Sequence, residues 1–139
     1  MAKITTFAFG TTVANISEKQ GPTPHLVAPQ VVLRPAFIPS NFSFGVTFGI
    51  RGVDITNHIM LRFFISSPSG TIVHDSGDTE LPVVGKKDTL PAEYQGLVVN
   101  LDLRNIVIKE EGIYSLVVYI NGEELTHQEI PIFKGKEDE

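Results

Sequence analysis

The chain has no cysteine and no tryptophan. The first absence excludes a disulfide framework, thiolate catalysis and any cysteine-held zinc or iron–sulfur site. Long apolar runs are missing too. The longest, Leu116-Val117-Val118-Tyr119-Ile120, is far below the ~20 residues that a membrane-spanning helix needs. Met1 to Gly10 lacks the apolar centre of a secretory leader, so the sequence leads us to expect a cytoplasmic protein without a membrane span. Helical periodicity is absent as well, with room for a single turn near Pro91-Ala92-Glu93-Tyr94-Gln95.

Basic residues are also scarce: 11 Lys and Arg stand against 16 Asp and Glu, for a net charge of −5. Such a balance argues against general nucleic-acid binding, because a phosphate backbone is drawn to a field of Lys and Arg. The charge is unevenly spread. Met1 to Val53 holds Lys3, Lys19, Arg34 and Arg51 against Glu18 alone, whereas Asp54 to Glu139 holds 7 basic and 15 acidic residues. In a β protein, sequence blocks interleave in space, so this split hints at a two-toned surface without requiring one.

What the chain does have is alternation of period two, which sends successive side chains to opposite faces of a strand. Phe42, Phe44, Val46, Phe48 and Ile50 form an apolar stripe, with Ser43, Gly45, Thr47, Gly49 and Arg51 on the other face. These small residues suggest close approach by a neighbour, or exposure. The same pattern runs through Ile59, Leu61, Phe63 and Ile65, through Leu97 to Leu103, and through Tyr114 to Ile120. Ser67-Pro68-Ser69-Gly70 reads as one hairpin turn and Asn121-Gly122 as another, the second being of the two-residue kind that needs positive φ.

An N-terminal strand at about Ile4 to Val13 and a second at Gln30 to Phe37 are expected to flank a proline-rich loop from Glu18 to Pro29. Asp75 to Gln95 is polar and irregular, with one short strand near Leu81 to Val84. The last strand, Glu123 to Phe133, carries Pro131 and His127 and reads as a sheet edge open to strand addition. At 139 residues the chain suits one domain, residues 1–133, with a charged tail at 134–139. The expected fold is all-β, an antiparallel sandwich of two sheets with seven to nine strands. Alternation alone leaves a closed barrel open.

Glu110-Glu111-Gly112-Ile113-Tyr114-Ser115-Leu116 resembles the acidic-x-Gly-x-Tyr-x-Cys signature of immunoglobulin-like domains. That resemblance implies a tyrosine corner at Tyr114, with Leu116 as an apolar residue where the family carries a cysteine. The wider order of strands, with Pro68-x-Gly70 at mid-chain and Asn121-Gly122 before the last strand, is similar to small bacterial sandwich proteins of unknown function. It implies a fold and no activity.

No convergent chemistry stands out. His74-Asp75-Ser76-Gly77-Asp78-Thr79-Glu80 is the densest polar cluster. His74, Asp75, Asp78 and Glu80 are its candidate metal ligands, and Ser76 its candidate nucleophile. The spacing is not that of a calcium loop, and no histidine pair has i, i+4 or i, i+2 spacing. The sequence therefore calls for no cofactor and no catalytic residue. Phe64 shares its parity with Met60 and Arg62, which marks those three as a possible contact surface. A non-enzymatic module that binds protein, either itself or another, is the leading expectation. A structural subunit, such as a phage particle component, is the alternative. A hydrolase or sugar-active enzyme built on His74 and Asp75 or Asp78 is the third.

Overall fold

The structure is a computed structural model and describes residues 2–18, 21–81, 90–125 and 127–135. Among the described residues ten strands occur in chain order: β1 (Lys3–Glu18), β2 (Gly21–Gln30), β3 (Ser40–Arg51), β4 (Ile59–Ser66), β5 (Ile72–Asp75), β6 (Thr79–Leu81), β7 (Gly96–Ile108), β8 (Gly112–Ile120), β9 (Glu123–Glu124) and β10 (Gln128–Ile132). They form two antiparallel sheets. One has four strands in the order β2-β1-β3-β7. The other has six, in the order β10-β8-β4-β5, with β6 also beside β4 and β9 beside β8. Separate sheets decide between the two architectures left open by alternation: the fold is a two-sheet sandwich and not a closed barrel.

The apolar stripes face one another between the sheets. Phe44, Val46, Phe48 and Ile50 of β3 meet Ile59, Leu61, Phe63 and Ile65 of β4 and Tyr114, Leu116, Val118 and Ile120 of β8, all of them buried. Full burial of each such side chain contributes roughly 1.5–3 kcal/mol. With no disulfide available, this core carries the link between sheets. The single turn expected near Pro91 is a short 3₁₀ turn at Ala92–Tyr94.

Three expectations are corrected. The segment Glu18 to Pro29 is no loop: β2 runs antiparallel to β1 from Glu18↔Gly21 to Phe9↔Gln30. Its prolines are tolerated because β2 is the outermost strand of its sheet. Pro22 and Pro24 lie two residues apart, so their missing N–H groups fall on one edge, and Pro29 follows Ala28, whose positive φ of 51 interrupts the regular run. Conversely, the strand expected at Gln30 to Phe37 ends where β2 ends. Leu33 makes only an isolated parallel bridge to Ile132, and the prolines at 35 and 39 leave no ladder there. The expected final strand is divided, because Leu125 turns inward, donating its N–H to the Val118 carbonyl at 2.8 Å and burying its side chain. The division raises the strand number to ten.

The outer face of β3 is the one where small residues left two options, and close approach wins at Gly45. A Cβ built there would lie 2.6 Å from the carbonyl carbon of Thr12 and 2.8 Å from Val13. Beyond Gly10, β1 leaves its pairing with β3 and crosses above Gly45. The Asn100 amide, itself accepting a 2.7 Å bond from Thr47, donates to the Ala14 carbonyl at 3.4 Å. The β1–β2 hairpin thus covers part of the four-stranded sheet. Of the tail, Lys134 accepts bonds from the Arg34 guanidinium and Gly135 donates its N–H to the Pro35 carbonyl; residues 136–139 lie outside the described residues.

Candidate functional site

The corner at one end of the sandwich joins two motifs that lie more than 40 residues apart. Tyr114 is fully buried, and its hydroxyl donates to the Glu110 carbonyl at 2.7 Å. Burial, the largest cause, pushes its pKa above the ordinary phenol value. Leu116, two residues on, is also fully buried, at the position where the resemblance puts a cysteine. Gly112 adopts φ +142, and a Cβ there would lie 2.6 Å from Cγ of Pro68. The Pro68 turn therefore rests on the glycine of the tyrosine corner. Within that turn Gly70 donates to the Ser67 carbonyl at 2.9 Å, and Ser69 N–H donates to the Glu110 carboxylate at 2.9 Å. At the opposite end Asn121 (φ 50) and Gly122 (φ 83) form the two-residue turn between β8 and β9, with Ile120 paired to Glu123. The Asn121 side chain accepts the Met60 N–H at 2.9 Å, which ties the turn to β4.

The polar cluster at 74–80 is divided between the two faces of β5 and the turn beyond it. Strand alternation sends His74 and Asp75 to opposite faces of β5. The His74 ring lies 5.6 Å from that of Phe63, while Asp75 joins Arg62 on the outer face, at 2.9 and 3.3 Å from the guanidinium nitrogens. Hydrogen bonding to Arg62, then to the Gly77 N–H, lowers the Asp75 pKa to about 2. Ser76 accepts the Phe63 N–H and donates to the Gly77 carbonyl, so its hydroxyl pins β5 to β4. Asp78 is exposed. Among the described residues no group of three or more His, Asp or Glu is placed to hold a metal ion, and no helix is long and apolar enough to cross a membrane. Lys86 and Lys87 lie outside the described residues.

Two surface features stand out instead. The first is the outer face of the six-stranded sheet, assembled by strand register. Met60, Arg62 and Phe64 of β4 point outward together, in line with their parity in the sequence. Arg62 lies opposite Tyr119, and Phe64 opposite Val117. Phe64 and Tyr119 stand with ring centres 6.0 Å apart. Val117 points away from the core and is nevertheless only 3% exposed. Pro131 and Ile113, paired across β10 and β8, continue the apolar strip.

The second feature is β7. It pairs with β3 on one side and has no strand on the other among the described residues. Its face carries half-exposed Val98 and the Asp102–Arg104 ion pair at 2.9 Å. A bulge opposite Phe42/Phe44 and a positive φ at Asn105 interrupt its regular run. Between the free edges of β5 and β7 lies an open cleft of about 370 Å³, lined in part by Ile72, Val73, Val107 and Tyr114.

The edge expected to accept a strand, β10, is partly occupied. Leu33 donates its N–H to the Pro131 carbonyl at 2.9 Å and accepts the Phe133 N–H at 3.0 Å. The open edge was not foreseen, since alternation marks β7 as a strand without saying who its neighbours are.

These features, two antiparallel sheets with a tyrosine corner and an apolar residue in place of the bridging cysteine, define an immunoglobulin-like β-sandwich. No protein-family model matches the chain, and neither does any curated protein. Among solved structures it is similar to an immunoglobulin-like protein from Pseudomonas aeruginosa, 14% identical, covering 96% of this chain and 97% of that one with a TM-score of 0.36. The fold assignment rests on the sheets and the corner themselves.

Proposed function

We propose that the chain is a non-enzymatic interaction module that meets another protein through the outer face of its six-stranded sheet. The observation that carries this reading is the strip formed by Met60, Phe64 and Tyr119, with Val117 beneath them, on the side turned away from the core. Contiguous apolar surface rimmed by polar residues is a feature of contact sites, whereas single exposed apolar residues are not. Aromatic side chains bring large contact area with few rotors, which suits Phe64 and Tyr119 to the centre of such a site.

The test uses the whole chain as bait in its native cell. Wild type is expected to retain a partner that the Phe64→Asp/Tyr119→Asp variant loses while keeping its fold by circular dichroism. Retention of the same partner by the variant would refute the reading.

A second reading, that of an assembly subunit, is favoured by one specific observation. The edge of β7 offers a row of ladder groups with no strand beside it among the described residues, and such edges template pairing between chains. Light scattering across a concentration series discriminates the two. Mass that rises with concentration and falls back on Val98→Lys supports assembly through β7; a monomer throughout counts against it.

A further inference from the structure

We infer that the partner of this face is a protein segment rich in lysine or arginine with an apolar side chain between the charges, an inference that rests on the proposed contact surface. The chain's charge asymmetry is sorted by sheet. The strands of the four-stranded sheet carry Lys3, Arg51 and Arg104 against Glu18 and Asp102; those of the six-stranded sheet carry Arg62 against Asp75, Glu80, Glu123, Glu124 and Glu129. Sorting follows from topology, since β1, β2 and β3 lie in one sheet, joined by β7 with its balanced Asp102 and Arg104, and β4, β5, β6, β8, β9 and β10 lie in the other.

Register then fixes where the carboxylates lie. Directly opposed residues of an antiparallel pair share a face. Glu80 is opposite Met60 and Asp75 opposite Phe64; Glu124 is opposite Tyr119 and Glu129 opposite Ser115. All four carboxylates therefore flank the apolar strip on its own face. Asp75 and Glu80 stand on one margin, Glu124 and Glu129 on the other. Three strand spacings of about 4.8 Å put the margins about 14 Å apart.

The one guanidinium on this face, that of Arg62, is held by Asp75. Among the described residues, no lysine or arginine pairs with Glu80, Glu124 or Glu129. Glu80 faces His58 at 2.7 Å, and Glu124 faces His127 at 3.1 Å. An apolar centre between two acidic margins selects by charge as well as by shape. It repels a nucleic-acid backbone and an anionic membrane. It also disfavours a two-fold dimer through the same face, which would set like charges together. A segment with Lys or Arg on either side of an aromatic or aliphatic residue matches both parts.

Two synthetic nine-residue peptides test the idea by amide shifts of the full-length, ¹⁵N-labelled protein. One alternates lysine with leucine around a central tryptophan; the other replaces every lysine with glutamate. The lysine peptide is expected to move the amides of Met60, Phe64, Ser115, Val117, Tyr119 and Glu129, and the glutamate peptide to leave them in place. Raising salt from low ionic strength to 0.5 M is expected to weaken the lysine peptide about tenfold, as screening of exposed charge requires.

The variant Glu80→Lys/Glu124→Lys/Glu129→Lys changes exposed residues only and is expected to exchange the preference of the face, binding the glutamate peptide. Glu129→Lys alone, should the triple variant fail to fold, is expected to weaken the lysine peptide about threefold, the scale of one exposed charge pair. Equal shifts on this face with both peptides would overturn the basic partner and leave the contact surface standing. Shifts confined to β7 or to residues 137–139, or none at all, would overturn both.

Discussion

Tyr114 and Asp75 hold their neighbours by hydrogen bonds of different kinds, and the two respond differently to substitution. The Tyr114 hydroxyl lies in the interior against the Glu110 carbonyl. Tyr114→Phe keeps the ring and removes the bond, leaving a carbonyl without its partner. The expected loss is about 1–2 kcal/mol, seen as a lower urea midpoint at unchanged slope. Leu116→Ala empties a fully buried site in a core with no disulfide to fall back on, and is expected to cost about 2–5 kcal/mol.

Asp75 acts at the surface. Its folded pKa, about 2, lies below the ordinary 3.8. Its contribution to stability is therefore complete above pH ~4 and lost as pH falls through about 2. Carboxyl titration by NMR should find Asp75 ionised at pH 3, and Arg62→Ala should return its pKa towards 3.8.

At the scale of elements, the legible parts are those where one local pattern determines the outcome. The stripe from Phe42 to Ile50 gave β3 because alternation needs no knowledge of neighbours. Asn121-Gly122 gave its turn because both residues accept positive φ. Pro68-x-Gly70 and Gly112-x-Tyr114 were each legible, but not their meeting, since contact across more than 40 residues leaves no local trace.

The N-terminal third misled for a related reason. Prolines forbid a central strand but not an outermost one, and which strand is outermost is a property of the whole sheet. Phe64, Met60 and Arg62 could be assigned to one face by parity, whereas Val117 and Tyr119 joined them only through register. Nothing in a local window could mark β7 as an open edge.

The crossing of the β1–β2 hairpin above Gly45 supplies a test at this scale. Gly45→Val would drive side-chain atoms into the backbone of Thr12. Faster amide exchange is expected from Phe9 to Ala14, while β8 keeps its protection. Uniform loss of protection would mean instead that the hairpin and the core open together.

For the whole molecule, topology turns an accident of sequence order into a property of shape. Except for β7, the strands of the basic block and those of the acidic block occupy different sheets, so the sandwich has an electrical polarity across its thickness. That polarity is expected to orient the protein on charged supports. On an anion-exchange matrix, Glu80→Lys/Glu129→Lys should elute much earlier than a control carrying the same charge change at Asp102 and Glu18. Equal elution of the two would mean that net charge alone matters and that the arrangement does not.

The bonds of Leu33 to Pro131 and Phe133 bear on the order of events during synthesis. They seal the margin of the six-stranded sheet with residues about a hundred positions apart. A loop of that length is slow to close, so the contact belongs to the late phase of folding. On a ribosome, β1 to β8 would emerge and wait, with the margin of β8 uncovered, until the last strand cleared the exit tunnel. Completion of the sandwich therefore waits on β10, however early β1 to β8 have met.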